Sequence, residues 1–187
     1  MKVEGIERER MVREGVCEMK QKETVDYAAS VGKLLVKNSP VGVELTEAQC
    51  ATLASILKVA GIKAGDFLLQ EGEIDDSLHV LVSGRLEVVK SDQGGGHVTL
   101  HVLQPGDMAG ELGFIDGMPH SAGLRAITDC EVFSIHKGEF DKLIEKEPDL
   151  VYKVMRAIVR TVHKILCGMN FQHAQLTDYI SGQHGRY

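Results

Sequence analysis

The chain has 187 residues, enough for one domain of ordinary size with a sizeable core and a helical extension, and too few for two large domains. Its formal net charge of -6 speaks against a generally basic nucleic-acid-binding face, and no apolar run approaches the ~18 residues of a membrane span. The four cysteines, Cys17, Cys50, Cys130 and Cys167, stand far apart with no CxxC pair, and "MKVEGIERER" has no apolar signal-peptide core, so a reducing cytoplasm is the expected setting.

Residues 1 to about 38 are rich in Glu, Lys and Arg, with opposite charges four apart at Glu4/Arg8, Glu9/Arg13 and Glu18/Lys22 and apolar Val12, Val16 and Met19 at helical spacing. This predicts a helical arm, solvated or partner-binding, that "NSPVGVEL" interrupts. Thr46 stands as an N-cap before "EAQCATLASILKVA", where Ala51, Leu53, Ile56, Leu57 and Ala60 share one apolar face. A second helix is expected to run to Gly61.

From Gly65 to about Ile135 the period becomes two-fold. Leu78, Val80 and Val82 alternate with His79 and Leu81, and Val98, Leu100 and Val102 alternate in "HVTLHVL". These read as half-buried antiparallel strands. Turn signals at "AGD", "EGEIDD", "SGR", "SDQGGG" and "PGD" divide the segment into about eight short strands, the spacing of a jelly-roll barrel. "SDQGGG" reads as an exposed hairpin loop, because a strand and not a helix follows it.

The helical period returns at Lys137, with Phe140, Leu143 and Ile144 on one short face. Pro148 is placed to open a long helix, in which Val151, Val154, Met155, Ile158, Val162, Ile165 and Met169 recur at three and four with Gly168 the one breaker. A helix of ~20 residues or more reaches ~30 Å, beyond the side of a small barrel, so its outer part is expected to pair with a second copy of the chain. The expected fold class is therefore mainly β with flanking helices: a double-stranded β-helix (jelly-roll) barrel with N-terminal helices and a long C-terminal helix. The expected divisions are an N-terminal helical extension at 1–44, the barrel domain at 45–169 and a C-terminal tail at 170–187.

The order of these parts, with Gly65-Asp66, Glu71-Gly72, Gly84, Gly106-Asp107, Gly110-Glu111-Leu112 and Arg125-Ala126 in sequence, resembles the cyclic-nucleotide-binding domain family from Leu45 to about Met169. A cyclic nucleotide offers a phosphodiester, a ribose 2'-hydroxyl and a flat base. A carboxylate at Glu111 can accept from the hydroxyl, Gly110 lets the backbone approach, and backbone N–H groups opening the short helical turn near Glu111 to Phe114, Leu112 among them, can face the phosphate. Where binding relatives carry Arg-Ser-Ala or Arg-Thr-Ala, this sequence has His120, Ser121 and Ala122. Histidine is mostly neutral at pH 7, so losing the arginine's charged hydrogen bond, worth ~1.5–3 kcal/mol, lowers affinity by ~10- to 100-fold. On the last helix, where activator-type relatives have an arginine and two hydroxyl residues facing the purine, the chain has Thr161, Ile165 and Leu166, leaving Thr161 as the base contact. For Glu111 the alternative is a helix-capping carboxylate, and for His120 a solvent-facing loop residue. Arg125 is read as a strand-face ion pair.

The resemblance implies a stand-alone, non-enzymatic sensor or regulatory domain for cyclic AMP or cyclic GMP, a homodimer acting through an unknown downstream protein. The alternative is a degenerate, non-binding domain that serves dimerisation or partner interaction. Direct nucleic-acid binding is not expected, since the residues after Met169 are fewer than a helix-turn-helix domain needs, nor is membrane insertion. A cupin-type metal enzyme is disfavoured too. His97 and His101, four apart on a strand, lie ~13 Å from each other, too far to share an ion, and no Ser-His-Asp or Cys-His set appears, so neither a catalytic residue nor a metal ligand is assigned.

Overall fold

The computed structural model describes residues 31–184 apart from Gln93; the charged helical arm expected over 1–38 falls mostly outside the described residues. A helix over 31–37 (α1) stops at the Pro40–Gly42 310 turn, as "NSPVGVEL" foretold. Thr46 then caps α2 (Glu47–Ala54) with a full capping box: its hydroxyl accepts from the Gln49 N–H, and the Gln49 side chain accepts from the Thr46 N–H. Thr46→Ala removes that box and is expected to lower stability by ~1 kcal/mol, read from the urea midpoint.

Here the first expectation fails. The helix ends at Ala54, and Leu57–Ile62 is strand β1, so Leu57 and Ala60 belong to a sheet. β1 lies antiparallel on β8 along its whole length, from Leu57 opposite Ile135 to Ile62 opposite Cys130, and that ladder outweighs a marginal helical period. The other strands are β2 (Phe67–Leu69), β3 (Ser77–Ser83), β4 (Leu86–Ser91), β5 (His97–Leu103), β6 (Met108–Ala109), β7 (Gly123–Ala126) and β8 (Cys130–His136), with α3 (Glu111–Asp116) between β6 and β7. "SDQGGG" forms the β4–β5 hairpin loop, where the Asp92 carboxylate accepts from the N–H groups of Gly94 and Gly96.

Two four-stranded antiparallel sheets result, ordered β1-β8-β3-β6 and β2-β7-β4-β5, in a jelly-roll-like arrangement. Leu81, Ala109, Cys130 and Val132 of the first meet Leu69, Leu86, Leu103, Leu124 and Ala126 of the second between the sheets. The first sheet's other face, with Leu78, Val80, Phe133 and Ile135, is covered by Val36, Val41, Leu53, Phe140, Leu150, Val154 and Ile158 from the helical elements. The layers thus run helices, sheet, sheet, solvent. This order explains why β3 is buried from Leu78 through Leu81, not half-buried: it is interior to a sheet covered on both sides. β5 departs the other way. It is an edge strand of the outer sheet, and Val98 and Leu100 are exposed.

After β8, α4 (Lys137–Asp141) buries Phe140, and Leu143 follows it into the core, while Ile144 of the same expected face is exposed. α5 runs from Pro148 to His184 without a break at Gly168. It is clasped to the N-terminal segment by polar pairs: Gln49 donates to Asp149 at 2.8 Å and accepts from Lys153 at 3.1 Å, and Glu44, in the turn before α2, is gripped by Arg156 and Arg160. The expected dimer stripe is therefore divided. Val154 and Ile158 belong to the domain's own core, whereas Ile165 and Met169 are exposed. None of the helices among the described residues is long and apolar enough to cross a membrane.

Candidate functional site

The short β6 strand delivers the chain to Gly110, which adopts φ +79° as the N-cap of α3. A side chain could not stand there, since a Cβ would lie 2.6 Å from the Ser77 carbonyl oxygen and 3.2 Å from Cδ2 of His79. Glu111 follows as the first residue of α3 and is 9% exposed, with Oε1 buried and making no hydrogen bond to the protein. Burial pushes its carboxyl above the ordinary value of 4.5. The residue's own backbone N–H opposes that rise, Asp107 reinforces it, and His79 opposes it. The carboxyl thus meets its own backbone N–H at the start of α3 while Oε1 is left without a partner.

Behind Gly110 lies a polar group that the sequence did not reveal. His79, buried on β3, places Nδ1 2.7 Å from the Ser134 hydroxyl and Nε2 3.7 Å from Asp75 Oδ2, beyond hydrogen-bond length. The imidazole holds the Asp75 carboxyl well below the usual carboxylate range, and the Ser77 N–H, donating to Asp75 Oδ1 at 2.6 Å, acts the same way. The available signal was a polar residue inside the apolar run "SLHVLV".

His120 is neither a free surface residue nor an outward-reaching one. Its backbone exchanges two hydrogen bonds with the β2–β3 loop, donating to the Glu73 carbonyl at 2.9 Å and accepting from the Gly72 N–H at 2.8 Å. The half-buried ring lies against Gly113 of α3, where a Cβ would stand 2.8 Å from its Cε1, and its Nε2 is buried without a hydrogen bond. Ser121 is exposed and Ala122 half-buried. Leu112 on the outer side of α3 is exposed.

The structure thus brings Gly110, Glu111 and Leu112 together with the 120–122 segment through the contact of His120 with Gly113. Thr161 stands apart. It sits half-buried on α5, whose core contacts are with the first sheet and the N-terminal helices, and it shares no described hydrogen bond with residues 110–122. Arg125 faces away from the space between the sheets, donating to Glu87 Oε1 at 2.7 Å while the Thr99 hydroxyl holds Oε2 at 2.6 Å, the ion pair read from the sequence. Among the described residues, no group of three or more His, Cys, Asp or Glu could hold a metal ion.

The arrangement has clear relatives. Residues 61–147 match the family model described as the cyclic nucleotide-binding domain. An NTE family protein of Mycobacterium tuberculosis is 31% identical over 129 residues, 69% of this chain and 21% of that protein. The cAMP-activated global transcriptional regulator CRP of Salmonella typhimurium is 36% identical over 94 residues, 50% of this chain and 45% of CRP. The chain therefore spans about a fifth of the first relative and under half of the second. Among solved structures, a cyclic nucleotide-binding domain from Methylobacillus flagellatus superposes with a TM-score of 0.67 at 22% identity, covering 76% of this chain and 80% of that one. By matched sequence and by fold, residues 61–147 of this chain form a domain of the cyclic nucleotide-binding domain family.

Proposed function

We propose that this domain is a non-enzymatic sensor that binds cyclic AMP or cyclic GMP beside α3, with Glu111 accepting a hydrogen bond from the ribose 2'-hydroxyl. The single observation that carries this reading is the buried, unpartnered Oε1 of Glu111. A buried acceptor left without a partner costs more than an ordinary hydrogen bond returns, and a ligand hydroxyl offsets that cost. Gly110, Leu112, His120, Ser121 and Ala122 form the remainder of the site, and Thr161 joins it only if α5 and α3 approach each other on binding. Calorimetric titration with cyclic AMP and cyclic GMP tests the reading directly. Saturable heat with either ligand supports it, and none with both leaves a degenerate domain that serves assembly.

A second copy of the chain is proposed as the partner of the outer part of α5, where Leu166, Met169, Leu176 and Ile180 are all exposed at spacings of three, four and seven. The burial of Ile158 decides how to test this. Ile158→Glu would put a charge into the domain core and report on folding, whereas Ile165→Glu touches only the exposed length. Sedimentation at tens of micromolar is expected to show a dimer that Ile165→Glu converts to monomer; an unchanged dimer would show that copies meet elsewhere. The downstream protein that reads the sensor is unassigned, and a cytoplasmic setting is part of this proposal.

A further inference from the structure

The site lacks an obvious cation. From Gly110 to Ala122 there is no lysine or arginine, Arg125 is held by Glu87, and Lys137 donates to the Phe114 and Ile115 carbonyls at the end of α3. A phosphodiester is permanently negative, so its charge needs an answer from another element.

β4 supplies one. Leu86 and Val88 pack into the space between the sheets and Val89 is buried; the β4–β5 ladder shifts register between Val88 and Val89, and beyond that shift Lys90 is exposed. β4 lies antiparallel on β7, with Val88 opposite Leu124 and Val89 opposite Gly123, which brings Lys90 alongside Ala122. From there its ammonium donates to the Ser121 carbonyl at 2.6 Å, one residue beyond His120, and to Glu71 Oε1 at 2.6 Å. The other Glu71 oxygen accepts from the Ser91 N–H at 2.9 Å. With Lys90 first and Ser91 second, these bonds hold the Glu71 carboxyl down at about 2, so it stands as a carboxylate at neutral pH. The Lys90 side chain remains 47% exposed, so an incoming anion has access to it.

We infer that Lys90 is the cation that meets the ligand's phosphodiester, and that Glu71 is the counter-anion it exchanges for that phosphate. The inference rests on the proposed cyclic-nucleotide site and adds to it the missing charge. A lysine suits this exchange because its ammonium is a point charge on a flexible four-carbon stem, able to turn from one oxygen to another without the fixed fork of arginine. Glu71 gives the pair a direction. It competes with the ligand for Lys90, so removing the lysine and removing the glutamate act with opposite sign.

The test is a set of calorimetric titrations with cyclic AMP and cyclic GMP on wild type, Lys90→Met, Lys90→Arg, Glu71→Gln and the double variant, each in low and high salt, with urea midpoints as a check on folding. For a charged contact at a half-exposed site, Lys90→Met is expected to weaken binding ~5- to 10-fold and to flatten its salt dependence. Lys90→Arg is expected to restore most of the loss. Glu71→Gln leaves the bond from Lys90 to Ser121 intact and is expected to tighten binding by ~2- to 5-fold. A gain of affinity does not arise from a damaged fold, so this variant stands even if Lys90→Met proves unstable. The double variant should bind like Lys90→Met. If wild type binds a nucleotide, Glu111→Gln weakens it and neither Lys90→Met nor Glu71→Gln changes it, the inference about Lys90 is overturned while the site stands. If wild type and Glu71→Gln both bind neither nucleotide, the site itself is refuted and the inference with it.

Discussion

Glu111→Gln is expected to weaken binding of a cyclic ribonucleotide by ~10- to 100-fold, and at the same time to make the ligand-free protein more stable at neutral pH. The first effect is the loss of a charge-assisted hydrogen bond to the ribose hydroxyl, and a 2'-deoxy ligand, which never makes that bond, should bind wild type and variant almost equally. Equal losses for both ligands would show that Glu111 supports the loop and touches no sugar. The second effect follows from burial. The folded carboxyl titrates above its ordinary value of 4.5, so below that value both folded and unfolded chains are protonated and the residue costs nothing. As pH rises through the window between the ordinary value and the raised folded one, the unfolded chain gives up its proton first and stability falls. Above the window the cost is fully present. Urea midpoints of Glu111→Gln and wild type should therefore coincide at low pH and separate on going to pH 7, with the variant the more stable. A wild type at least as stable as the variant at pH 7 would mean that the carboxylate is not disfavoured by its surroundings. Together the two measurements describe a residue that destabilises the empty fold for the sake of a ligand.

Gly110→Ala is expected to abolish measurable nucleotide binding and to lower stability by more than Gly117→Ala does. Both glycines have positive φ, +79° and +68°, so both substitutions incur the backbone strain of ~1–2 kcal/mol. Gly117 meets nothing else: a Cβ there would have no atom within 4 Å. At Gly110 the new methyl would run into the Ser77 carbonyl at 2.6 Å, a backbone atom fixed within β3, so α3 itself has to move. That movement displaces Glu111, whose position is the basis of the site. The matched pair separates strain from collision, and calorimetry with urea denaturation reads both. Equal stability losses, or binding retained by Gly110→Ala, would show that α3 can shift without consequence.

Much of this molecule is legible in its sequence. The two-fold period from Gly65 onward, the turn residues between strands, the Thr46 cap and the Pro148 start all became the elements they announced, because each depends on neighbours within a few residues. The Gly110-Glu111-Leu112 motif is picked out through the resemblance to the cyclic-nucleotide-binding domain family, and the structure places Gly110 at the N-cap of α3 with Glu111 its first residue. What failed was everything decided at a distance. "ILKVAG" continues a helical pattern, yet its partner is β8, some seventy residues later, and only that ladder makes it a strand. The apolar stripe of α5 is continuous in sequence, yet Ile158 is buried by the N-terminal helices and the first sheet while Ile165 is left uncovered.

The same division holds in the site. By itself the sequence determined that a carboxylate follows a glycine ahead of a short apolar run, and that no lysine or arginine stands between Gly110 and Ala122. Tertiary structure alone decided that Glu111 is buried with an unpartnered oxygen, that the His120 ring lies against Gly113, and that Lys90 reaches the Ser121 carbonyl from another strand while paired with Glu71. The reason is physical. Turn, cap and period are set by the local covalent chain, whereas burial, pairing and protonation depend on which distant segments the two sheets bring together, and no local pattern encodes that proximity.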